Sequence, residues 1–87
     1  MSIDELAYAR GFTVFNRFDN YTEYIDDMGI KLIVFNNKYD FYEFFYRVNN
    51  ELKVKSTTYC NFTSKNFTDN YRRFRKEVKD YWSHRGG

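Results

Sequence analysis

The run Tyr39-Asp40-Phe41-Tyr42-Glu43-Phe44-Phe45-Tyr46-Arg47-Val48 carries the densest hydrophobic patterning in the chain. Taken with period two it divides into Phe41, Glu43, Phe45 and Arg47 on one side and Tyr42, Phe44, Tyr46 and Val48 on the other. Neither set makes a clean strand face. With the helical period, Phe41, Phe44, Phe45 and Val48 fall together at i, i+3, i+4 and i+7, and Glu43 and Arg47 point away. This spacing predicts a helix over 40–48, against the strand propensity of its residues. Tyr42 and Tyr46 then lie on the outward flank of that helix.

An earlier stretch carries the same signature. Asn20 and Glu23 form a cap signal, Tyr21, Tyr24, Ile25 and Met28 have helical spacing, and Gly29 follows as a left-handed terminator. Sliding the chain so that Phe15 falls on Phe35 also brings Asn20 onto Asp40, Glu23 onto Glu43, Tyr24-Ile25 onto Phe44-Phe45 and Gly29 onto Asn49. The near-repeat reinforces the prediction of two like helices. Between them, Ile30-Lys31-Leu32-Ile33-Val34-Phe35 is β-branched and almost wholly apolar, as in a central strand covered on both faces.

Ser2 and Glu5 make a capping box for a short first helix ended by Gly11, and Phe12 to Arg17 reads either as a modest strand or as a continuation of that helix. Glu51 to Ser56 alternates like a strand with one wet face. A rival reading makes Val48-Asn49-Asn50-Glu51 a hairpin turn between two strands. After a polar connector from Cys60 to Asn66, a final helix runs from Asp69 to about His84. Tyr71, Phe74, Val78, Tyr81 and Trp82 form its apolar arc, which Phe67 extends if the helix begins early. Beside it Arg72, Arg75, Lys76 and Lys79 make a basic stripe at i, i+3, i+4 and i+7. The predicted fold is a single α/β or α+β domain over 1–87 in the order αβαβαβα. It has a three-stranded sheet, helices mainly on one face and a frayed end at 85–87.

Composition bounds what such a domain can do. The 87 residues are 43% hydrophobic and 30% charged, with no proline, as expected of one globular unit with a real core. Ten Phe, nine Tyr and one Trp can supply much of it. A lone cysteine, an N-terminus without signal-peptide character and the lack of a long apolar run point to a cytoplasmic protein with no membrane partner. The net charge of +2 conceals an asymmetry: residues 1–50 hold five Lys or Arg against eight Asp or Glu, and residues 51–87 hold nine against four.

No motif for catalysis is evident. One Cys and one His at unrelated positions exclude a zinc site, and there is no phosphate loop or nucleotide fingerprint. Asp26, Asp27, Asp19 and Glu23 read as the solvent face of a helix rather than as acid–base groups. The expectation is a non-enzyme without cofactor or metal. An outward Tyr42–Tyr46 pair suits a protein partner or a homodimer contact. An Asn/Tyr/Phe-rich, proline-free chain has the look of a phage or mobile-element accessory protein, of the kind that inhibits host machinery such as defence systems by occluding a surface. The alternative is a small DNA- or RNA-binding protein using Arg72, Arg75, Lys76 and Lys79.

Overall fold

The first turn follows its sequence signal closely. In the computed structural model, which describes residues 1–85, α1 spans Ile3–Ala9. The Ser2 hydroxyl accepts from the Glu5 N–H at 3.1 Å, and the Glu5 carboxylate accepts from the Ser2 N–H. Gly11, at φ 91°, supplies the left-handed residue that ends the helix. Five strands follow: β1 Thr13–Arg17, β2 Tyr21–Ile25, β3 Lys31–Phe35, β4 Tyr42–Val48 and β5 Glu51–Lys55. The chain closes with α2, Asn66–Arg85. Gly86 and Gly87, within the predicted frayed end, lie outside the described residues.

The strands form one antiparallel sheet in the order β1-β2-β3-β4-β5, each paired with its neighbour in sequence. This is an α+β domain, and it corrects the predicted αβαβαβα order with its three-stranded sheet. Both predicted internal helices are strands. Around 20–28, Tyr24 faces the helices from β2, and the chain then turns at Asp26, which accepts from the N–H groups of Met28 and Ile30 at 2.9 and 2.8 Å. Around 40–48, Tyr42, Phe44 and Tyr46 all point into the core from β4. The near-repeat survives the change of secondary structure. Tyr24 and Phe44 are both buried beneath the helices, and Gly29 and Asn49 both have positive φ, 84° and 52°.

β3 is central, as its composition predicts, but only one of its faces is buried: Leu32 and Val34 are covered and Lys31, Ile33 and Phe35 are half-exposed. Both helices lie on the Leu32 side. Ala7 of α1 and Phe67, Phe74 and Val78 of α2 join Tyr24, Leu32, Val34, Tyr42 and Phe44 in one cluster. Phe44 is at its centre, with Phe74, Phe67 and Tyr71 rings at 5.4, 5.5 and 5.7 Å. The Arg10 guanidinium ties the end of α1 to the approach to α2. It donates to the Phe62 carbonyl at 2.5 Å and the Ser64 carbonyl at 3.2 Å, and stands 4.4 Å from the Phe67 ring centre.

The rival hairpin reading is the one the fold adopts at 48–51. Asn49 and Asn50 have φ of 52° and 66° between the paired residues Val48 and Glu51, the conformation of a two-residue mirror-image turn. Asn tolerates this region and a β-branched residue does not. Asn50→Val is expected to cost about 1 to 2 kcal/mol, and Asn50→Gly to hold or raise stability. Urea midpoints compare the three proteins, and a valine variant as stable as the parent would exclude the left-handed turn.

Candidate functional site

Strand alternation decides what β4 shows to the outside. Tyr42 is 0% exposed, and its hydroxyl accepts from the Asn70 side chain at 3.0 Å. Burial pushes that hydroxyl above its ordinary pKa. Tyr46 is 9% exposed and accepts from the Trp82 indole N–H, also at 3.0 Å. The sequence places this pair outside as a partner surface. The strand instead turns both inward, and the helical spacing that put them outside does not exist.

The residues that β4 turns outward are Glu43, Phe45 and Arg47, and they belong to a sheet face that no helix covers. Register aligns Ile25, Lys31, Phe45 and Lys55 in one row across β2 to β5, and Glu23, Ile33 and Glu43 in the next. Phe45 is only 6% exposed, although it stands outside the helix-covered core cluster. Its cover is partly cationic: the Arg47 guanidinium lies 5.1 Å and the Lys31 ammonium 5.7 Å from its ring centre. Lys31 is closer still to Phe15, at 4.0 Å. A bulge between Val14 and Asn16 interrupts the pairing of β1 at Phe15, which is 54% exposed. Long basic side chains laid over aromatic rings keep their charge in water while their stems shield apolar surface.

A shallow depression of about 380 Å³ is set into this face, with Ile33 and Phe45 among its lining and Phe18, Tyr21, Arg47, Leu52 and Lys55 around them. Glu23 and Glu43 flank Ile33 on neighbouring strands, which puts their backbones roughly 10 Å apart at ordinary strand spacing. Glu43 accepts from the Thr58 hydroxyl at 2.7 Å. The carboxylate of Glu23, a half-buried residue, has no hydrogen-bond or ion-pair partner among the described residues.

On the opposite side, α2 brings Arg72, Arg75, Lys76 and Lys79 together as the sequence predicts. With Thr68 and Tyr71 they line a groove of about 450 Å³. Comparison with protein-family models, curated proteins and solved structures finds no match to this chain.

Two other carboxylates, Asp26 and Asp4, hold the fold together. Asp26, 8% exposed, binds the turn before β3 and accepts from the Tyr71 hydroxyl, so it serves as a buried anchor rather than one of a solvent-facing acidic set. Asp4 takes hydrogen bonds from Arg17 and from the Tyr24 hydroxyl, which hold its carboxyl below the usual carboxylate range. Cys60 and His84 are both exposed. No group of three or more His, Cys, Asp or Glu placed to hold a metal occurs among the described residues.

The open face has a sequence signal that helical spacing hides. Tyr21, Glu23 and Ile25, then Lys31, Ile33 and Phe35, then Glu43, Phe45 and Arg47 each recur at every second position. Each set mixes charged and apolar residues, so none reads as the wet face of an ordinary half-buried strand.

Proposed function

We propose that this chain is a non-catalytic protein-binding module that docks its partner on the open face of the sheet and acts by covering the surface it binds. The observation that carries this reading is an unpartnered carboxylate, Glu23, beside Ile33 on a sheet face without a covering helix, with Phe15, Phe18 and Leu52 exposed around it. Exposed aromatic and apolar side chains supply contact area at small entropic cost, and interface energy concentrates in a few such residues. Glu23 and Glu43 at the centre suit a partner that sets an Arg or Lys over Ile33, with apolar side chains reaching toward Phe15, Phe18 and Leu52.

The reading keeps the expectation of an inhibitor acting by occlusion and moves its contact from Tyr42 and Tyr46 to the open face. Among the described residues no helix is long and apolar enough to cross a membrane.

The test is affinity capture from an extract of the native host with immobilised parent protein and with the double variant Glu23→Lys, Glu43→Lys. Like charges set against one another at an interface cost several kcal/mol, so the variant is expected to retain its partner at least about tenfold more weakly. Circular dichroism checks that both proteins are folded. A partner held equally by the two would remove the open face as the contact.

A further inference from the structure

The acidic first half of the chain leaves the basic stripe of α2 uncompensated. Among the described residues the ion pairs are Arg17 with Asp4, Lys53 with Glu51 and Arg72 with Asp69, so none joins the acidic 1–50 to the basic 51–87. The last pair is loose, at 3.8 Å between side chains 77% and 72% exposed. Arg75, Lys76 and Lys79 pair with no carboxylate among the described residues. Because Phe67, Phe74 and Val78 of α2 are taken up by the core, the stripe and its groove are what the flank beside them presents.

One of these cations is held in place. The Arg75 guanidinium lies 5.5 Å from the centre of the Tyr71 ring, and that ring is pinned by its hydroxyl bond to Asp26 and by packing on Phe12 and Phe44. A guanidinium set against an aromatic ring loses less freedom on meeting an oxyanion, and its fork matches two phosphate oxygens. From Arg72 to Lys79 the row extends about 10 Å at the rise of an α-helix, long enough to meet several successive phosphates of a nucleic-acid strand.

We infer that the α2 groove binds the phosphodiester backbone of nucleic acid, independently of base sequence. The inference goes beyond the protein-binding reading and uses the other side of the molecule. Arg75 already occupies the neighbourhood of Tyr71, so contact is to phosphate rather than to stacked bases. A bilayer is a poorer occupant, because interfacial helices insert an apolar face, whereas α2 has buried Phe67, Phe74 and Val78 and leaves Trp82 exposed beyond the stripe.

Fluorescence anisotropy with a mixed-sequence DNA duplex of about two helical turns tests this. Contact with three to four phosphates gives a slope of log K against log salt of about −2.7 to −3.6, and affinity falls about 40- to 150-fold between 50 and 200 mM salt. The exposed pair Lys76→Gln, Lys79→Gln is expected to flatten the slope by about 1.8, and adding Arg75→Gln to leave between about 0 and −0.9. The variant Glu23→Lys, Glu43→Lys should keep the steep salt dependence, which separates the two surfaces. No binding at low salt, or a slope unchanged in the glutamine variants, would overturn the inference. So would displacement of the duplex by polyglutamate as readily as by unlabelled duplex, or binding to phosphatidylserine vesicles in place of the duplex.

Discussion

Tyr42→Ala is expected to destabilise the fold by about 3 to 5 kcal/mol, a large share of its total stability. Were 40–48 a helix with Tyr42 outside, the change would be nearly silent. In β4 the ring is fully buried, with Tyr59, Phe67, Phe62 and Phe44 centred 5.4, 5.4, 5.6 and 5.8 Å away. Removing a large aromatic from such a site costs about 3 to 5 kcal/mol, part transfer and part residual cavity. A chain of this length has a total stability on the order of 4 to 13 kcal/mol. The loss also strips the Asn70 side chain of its acceptor. Tyr42→Phe retains the ring and is expected to cost about 1 kcal/mol. Urea unfolding of the three proteins reads this directly, and an alanine variant within about 1 kcal/mol of the parent would exclude Tyr42 from the core.

Alkaline pH is the second large lever. Burial raises the pKa of the Tyr24, Tyr42 and Tyr71 hydroxyls. For Tyr24 and Tyr71 the effect is reinforced by hydrogen bonds donated to the carboxylates of Asp4 and Asp26. In the unfolded chain each phenol ionises near its ordinary value of about 10. The folded chain therefore holds protons that the unfolded chain has released, and stability falls with rising pH. The contribution is complete below about pH 10 and is lost as the pH climbs from there toward the raised values. Each such tyrosine steepens the loss by up to about 1.4 kcal/mol per pH unit, and three together by about 4. Urea midpoints between about pH 9 and pH 11 should fall steeply, with tyrosinate absorbance appearing together with unfolding. Tyr24→Phe should remove about a third of the slope. A flat midpoint across this range would mean that these hydroxyls reach water in the folded state.

Local signals were legible where one segment carries both the pattern and the hydrogen bonds that satisfy it. Ser2 and Glu5 close α1 within a single turn, and Asn66–Arg85 makes its own ladder, so its apolar arc and basic stripe are visible as spacing. β5 alternates, and the Asn-Asn turn that joins it to β4 was readable as a hairpin. The failure at 20–28 and 40–48 has one cause. Runs this rich in aromatics meet both periods, because a Tyr can face the core if its hydroxyl finds a partner at the margin. Asn70 and Trp82 are those partners for Tyr42 and Tyr46, and they stand far along the chain. The open face was missed for the same reason, since a face can be recognised only after the strands that share it are known.

By itself, then, the sequence determined the ends of α1, the strand character of 31–35 and 51–55, the amphipathic α2 and the separation of charge between the two halves. These depend on propensity, capping and periodicity within a few turns of chain. Tertiary structure decided the rest: that 21–25 and 42–48 are strands, that Tyr42 and Tyr46 are core, and that Glu23, Ile33 and Glu43 line an uncovered face. A short segment gains little from forming a helix alone, whereas as a strand its backbone groups pair with the strands on both sides, and its core side chains meet α2 neighbours distant in sequence. Phe44 and its surrounding rings can be buried only once those neighbours have arrived.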